Sequence, residues 1–173
     1  MNIVPIINAL SDGIGQLNRA GYQTIDPSKF EFAKHIIMAY DKHLLIQGFI
    51  NKSHETYWDR ILQRDEGFFI ENAGTIFAEL PTNDVNVFRD LFTATRDGKK
   101  VISENLRNQL WKLFDSLVKI SIKYVHKHRY PISETDESGN NIVQKYRHSF
   151  FDYVDVANHA SKWKVALDFP VQY

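Results

Sequence analysis

The chain has 173 residues, of which 43% are hydrophobic and 24% charged, close to globular averages and a length that fits one domain of about 100–200 residues. Lysine and arginine together number 21, as do aspartate and glutamate; this zero formal charge argues against a dedicated nucleic-acid coat, which needs a net basic surface, and leaves association weakly opposed. There is no cysteine, which excludes disulfides, thiolate nucleophiles and cysteine-ligated zinc.

Helical spacing dominates, and no long period-two alternation demands a sheet. The first candidate helix runs from about Pro5 to Ala20, with Ile6, Ile7, Leu10, Ile14 and Leu17 at helical spacing. Gly13 and Gly15 weaken it by about 1 kcal/mol each relative to Ala, so residues 1–25 read either as a helix or as an arm that orders on binding. Asp26 is a good cap and Pro27 suits the first helical position. The stripe Phe30, Ala33, Ile37, Tyr40 and Leu44 predicts one helix from there to about Gly48. Ser53 is expected to cap a third helix carrying Tyr57, Trp58, Ile61 and Leu62. After Gly67, the residues Phe69, Ala73, Ile76, Phe77 and Leu80 make another stripe that Pro81 stops. Thr82 or Asn83 then caps a short helix with Val85, Phe88, Leu91 and Phe92, which ends at the turn Arg96-Asp97-Gly98-Lys99.

The longest element is expected from Ser103 to Arg129. Leu106, Leu110, Leu113, Leu117, Ile120 and Tyr124 form one face, and Trp111, Phe114, Val118, Ile122 and Val125 widen the apolar arc. A helix apolar on most of its girth belongs in the middle of a bundle. Leu113, Leu117 and Ile120 are therefore expected to be almost fully buried, with Lys119 on the outer face. Residues 130–142 read as a mobile acidic loop. A last helix is expected from about Val143 to Trp163, with Tyr146, Phe150, Tyr153, Val154 and Ala157 inward. The fold class is thus all-α: one domain over 1–173, a bundle of about six or seven helices around a buried central helix near 103–129.

Several groupings of polar residues have chemical potential. His148, Asp152, Asp155 and His159 fall at i, i+4, i+7 and i+11, on one helix face, and imidazole with carboxylate suits zinc or iron. The stripe spans about 16 Å at 1.5 Å per residue, so one ion could touch only two neighbours, and the same spacing serves a solvated face with helix-stabilising pairs. Glu31 and His35 form a second pair four apart. His126 and His128 lie roughly 200° apart on a helix and cannot share a metal there. Lys119, Lys123 and Lys127 share a face near Arg129, and could hold a phosphate backbone or an acidic partner; equally, they complement the negative end of the helix dipole. Phosphate-binding glycine loops and a Gly-x-Ser-x-Gly elbow are missing. Most aromatic residues are expected in the core, with Phe68 the best exception, because Phe68 and Phe69 point to different faces of one helix.

The segment Tyr57-Trp58-Asp59-Arg60-Ile61 through Arg64-Asp65-Glu66-Gly67-Phe68-Phe69-Ile70-Glu71-Asn72 resembles uncharacterised helical proteins of nucleocytoplasmic large DNA viruses. Leu117-Val118-Lys119-Ile120-Ser121-Ile122-Lys123-Tyr124-Val125-His126 adds to the likeness. The resemblance implies a viral intracellular or virion-associated protein and carries no site residue with it. The Asn-Trp-Gly-Arg signature of helical antiapoptotic viral proteins is absent.

Together these features point to a non-enzymatic interaction or structural protein, a minor capsid or assembly component among the options, with protein partners or self-association and no cofactor. Two alternatives stand beside it. One is a nucleic-acid-associated accessory protein using Lys119, Lys123, Lys127 and Arg129. The other is a metal-dependent helical enzyme using His148, Asp152, Asp155 or His159. No window reaches 18 uninterrupted apolar residues, so no membrane span is expected, and the N-terminus lacks the basic start of a signal peptide; an intracellular location, in host cytoplasm or virion, follows as the expectation.

Overall fold

Helices dominate the computed structural model, which describes residues 3–54, 56–129, 137–139 and 154–167. Nine helices occur among the described residues. They are α1 (Val4–Arg19), α2 (Ser28–Ala39), α3 (Lys42–Ser53), α4 (Trp58–Leu62), α5 (Glu66–Glu71), α6 (Ala73–Ile76), α7 (Thr82–Thr93), α8 (Glu104–Arg129) and α9 (Val156–Trp163). Among the described residues the fold is all-α apart from one ribbon of two short antiparallel strands, β1 (Thr95–Arg96) and β2 (Lys99–Lys100). Asp97 and Gly98 join them with φ of 51° and 75°, the left-handed pair that a two-residue hairpin of matching twist requires.

The chain packs as two compact units, Met1–Ala39 with Asp59–Phe114 and Tyr40–Trp58 with Asp115–Tyr173. Neither is a continuous stretch of chain, so no single cut in the sequence separates them. In unit 1 the core gathers Leu10 and Ile14 of α1, Leu91 and Phe92 of α7, Ile102, and Leu106 of α8. Gly13 permits the α1–α8 approach. A Cβ there would meet the Leu106 Cδ1 at 2.6 Å, so the glycine that weakens the helix locally serves its packing.

In unit 2 the core holds Ile50, Trp58, Val118, Ile122, Val125 and Val154, each no more than 1% exposed. The Ser53 hydroxyl donates to the Phe49 carbonyl at 2.6 Å and accepts from the Trp58 indole N–H at 2.8 Å, which satisfies a buried donor.

Several expected boundaries differ, among them the start of α7, where Pro81 rather than Thr82 or Asn83 takes the cap position and no side chain caps the helix. The helix read from Pro27 to Gly48 breaks at Asp41, which is extended (φ −61°, ψ 114°) and accepts the His43 N–H at its carboxylate. That local bond caps α3 and offsets the loss of helical continuity, leaving Tyr40 and Leu44 exposed at 56% and 50%. Ser53 closes α3 rather than capping α4, because Trp58 takes its hydroxyl. The stripe from Phe69 to Leu80 is split at Asn72 into α5 and α6.

Helix α8 forms as expected, and Ser103 accepts the Leu106 N–H at 3.1 Å. Its buried face is a correction. Leu113, Leu117 and Ile120 are only half-buried, whereas Val118, Ile122 and Val125 are sealed. The sealed stripe lies about 140° round the helix from the expected one, five residues on at 3.6 residues per turn. Two apolar stripes compete on this helix, and unit 2 packs on the second. Lys119 is consequently half-buried rather than outermost.

The helix expected from Val143 to Trp163 is not continuous: Val154 and Asp155 are non-helical and α9 starts at Val156, while Val143 and the expected inward residues Tyr146, Phe150 and Tyr153 lie outside the described residues. Val156, Ala160 and Trp163 are its buried residues, and Ala157 is exposed. Of the acidic segment 130–142, only residues 137–139 are described.

Candidate functional site

An apolar cleft of about 360 Å³ opens within unit 1. That volume lies in the usual range for binding pockets, roughly 300–1,000 Å³. Five helices and two connecting segments supply its walls. Ile25, Phe30 and Ala33 come from α2 and the turn before it, and Phe69, Ile70 and Ala73 from α5 and α6. Phe77 and Leu80 follow α6; Val85, Phe88 and Phe92 lie on α7, and Leu110, Trp111 and Phe114 on the first half of α8.

Each wall is held from behind. Asp65 caps α5 by accepting the Phe68 N–H at 3.1 Å, and Arg60 donates to its other carboxylate oxygen at 2.6 Å. The backbone N–H of Phe68, then Arg60, holds the Asp65 carboxyl below the usual carboxylate range. Arg60 also lies 4.6 Å from the Phe68 ring centre, a cation–π contact that places Phe68 outside the cleft while Phe69 turns into it. There Phe69 stacks on Phe114 and meets Trp111 edge-on, both at 6.0 Å between centroids. Glu66 ties α5 to α8 by accepting from Arg107 Nε and Nη2 at 3.0 and 2.6 Å.

Four charged residues border the cleft: Lys29, Glu66, Asp84 and Arg89. Lys29 pairs with Asp84, and Glu66 pairs with Arg107. Arg89 is different. Its Nε donates to the Ile70 carbonyl at 3.2 Å, and among the described residues it makes no ion pair. Helix α2, which forms one wall, has no buried residue. Its Phe32, one turn after Lys29, is 67% exposed, and Leu80 at the cleft edge is 53% exposed. Beneath the cleft lies a second apolar cavity of about 120 Å³, and Phe30, Phe88, Phe92 and Leu110 line both. These four side chains are the partition between them.

The residues singled out from sequence lie elsewhere. Lys119, Lys123 and Lys127 do share a face of α8, with Lys123 and Lys127 exposed; the Arg129 side chain lies outside the described residues. His126 is half-buried on one side of α8, and His128 is 3% exposed on the other, where it packs against Tyr124 and His43. His148 and Asp152 lie outside the described residues. Asp155 precedes the first turn of α9, with ψ of 82°, and accepts the Asn158 N–H. The helical phase that aligned the four residues therefore does not run through Asp155. His159 stacks edge-on against Trp58, with centroids 4.8 Å apart. Glu31 pairs with Lys34 at 2.6 Å, and His35 is exposed. Among the described residues no three of His, Asp and Glu gather as a metal site, and no helix is long and apolar enough to cross a membrane.

The cleft was not visible in the sequence. Phe30, Ala33, Phe69, Ala73, Phe77, Phe88, Phe92, Trp111 and Phe114 all read as core, since the same periodicity serves a filled core and an open one. The nearest signal is the number of rings, twelve phenylalanines in 173 residues. Comparison with known protein families, curated proteins and solved structures gives no match.

Proposed function

We propose that this chain is a non-enzymatic interaction protein, a component of a viral assembly, and that it holds a partner protein in the apolar cleft of unit 1. One observation carries the docking reading: side chains from five helices that would be core in a closed domain instead line an open cleft. Water in such a space finds few polar partners, so covering it with apolar groups is favourable by roughly 25 cal/mol per Å². Apolar patches rimmed by charge are the usual mark of interaction sites. The viral setting is supported by the resemblance of the segments at 57–72 and 117–126.

Site-specific photocrosslinking tests the docking reading. A photoreactive residue is placed at Leu80, on the cleft edge, or at exposed Asn51 on α3 as a control. In cells that make the native protein, the Leu80 position is expected to yield a discrete adduct and the Asn51 position none. Ala33→Trp, which fills the cleft from α2, should abolish the adduct. Absence of an adduct at Leu80, or one that survives Ala33→Trp in a variant with unchanged circular dichroism, contradicts the reading.

A further inference from the structure

We infer that the occupant of the unit 1 cleft is an amphipathic helix of a partner protein that presents a carboxylate to Arg89; this rests on the reading of the cleft as a docking surface. The backbone of the occupant is the first constraint. The cleft is walled by rings and aliphatic side chains, and the ribbon β1–β2 takes no part in it. An extended peptide lying there would leave its own N–H and C=O groups without partners, at a cost of several kcal/mol in apolar surroundings. A helix satisfies those groups internally and offers apolar side chains at i, i+3 or i+4, and i+7.

The second constraint is the extent of the apolar surface. Leu80 stands on the cleft's edge and is more than half exposed. A small amphiphile lodged inside the cleft would leave it in water, whereas a helix lying across the cleft covers it.

The third constraint is charge. The other charged residues at the border are matched within unit 1, Lys29 with Asp84 and Glu66 with Arg107. Among the described residues Arg89 has only a neutral carbonyl partner. Its Nη2 lies 3.7 Å from the point a Cβ on Gly74 would occupy, and Gly74 is exposed, so the guanidinium is reachable from outside. An aspartate or glutamate beside the apolar anchors would give Arg89 a charge-assisted hydrogen bond, the stronger class.

The probe is an mRNA-display library of helical peptides of about five turns. Three apolar anchors are fixed, and the flanking positions are free to be Glu, Gln or Lys. Selection on the wild-type chain is expected to enrich Glu beside the anchors. An enriched peptide should lose at least about tenfold in affinity when that Glu becomes Lys, because hydrogen bonds to charged groups contribute roughly 1.5–3 kcal/mol. Selection on Arg89→Glu should enrich Lys instead. Arg89→Gln, which retains a donor for the Ile70 carbonyl, should lose the preference for Glu without gaining one for Lys.

Enrichment with no charge preference, or one that Arg89→Glu leaves unchanged, overturns the inference and leaves the docking reading intact. Dodecanoate binding where no peptide is enriched overturns it in favour of a small amphiphile. No enrichment together with no Leu80 adduct overturns both.

Discussion

Replacing Ile122 and Leu117 separately by alanine isolates which face of α8 unit 2 buries. Each change removes three carbons, so the lost chemistry is the same and only the environment differs. Ile122 is 1% exposed and packs in the sealed core of unit 2. At about 0.8 kcal/mol per buried carbon, the transfer contribution is about 2.5 kcal/mol. A cavity contribution follows where Val118 and Val125 cannot relax, so a total of roughly 3–4 kcal/mol is expected, inside the usual 2–5 kcal/mol for such changes. Leu117 is half-buried, so about half the transfer contribution applies and little cavity forms, giving about 1 kcal/mol. Urea unfolding followed by tryptophan emission measures both, because Trp58 and Trp163 are buried in the same unit. Equal losses, or a larger one at Leu117, would refute the assignment of the buried stripe.

Three further outcomes follow from the packing. Gly15→Ala gains helix propensity of about 1 kcal/mol, because its Cβ would meet only the movable end of Arg19; Gly13→Ala gains the same but crowds Leu106, so thermal melting should place it about 1–3 kcal/mol below Gly15→Ala. Ser53→Ala leaves the buried Trp58 indole N–H without its acceptor and should lower urea stability by about 1–3 kcal/mol. Because the folded chain holds Asp65 below its ordinary pKa, its stabilisation is present at neutral pH and is lost as pH falls through that lowered value. Asp65→Asn should therefore be less stable than the wild type at neutral pH and should narrow the gap as urea midpoints are followed into acid.

Helix existence was legible because period 3.6 is written in the apolar positions. The Asp26-Pro27 start, the Ser103 cap and the Asp97-Gly98 turn were legible through backbone chemistry that acts over two or three residues. Continuity was not. Phe30 to Leu44 keeps perfect helical spacing, yet one carboxylate at Asp41 takes the His43 N–H and starts a new helix. The buried side of α8 was also hidden, since Leu113-Leu117-Ile120 and Val118-Ile122-Val125 are equally apolar and only their neighbours in space decide between them. The cleft was least legible. Whether Phe69 and Trp111 face another side chain or an opening depends on how α2 and α7 close over them, which no local pattern records.

Hydrogen–deuterium exchange on the full chain, alone and with the partner recovered through the Leu80 crosslink, tests the docking claim most directly. Protection is expected in Ser28–Ala39, Glu66–Glu71 and Thr82–Thr93, the helices that wall the cleft, with little change in Lys42–Ser53 and Val156–Trp163. Protection centred on those last two helices, or none in the cleft walls, would contradict it.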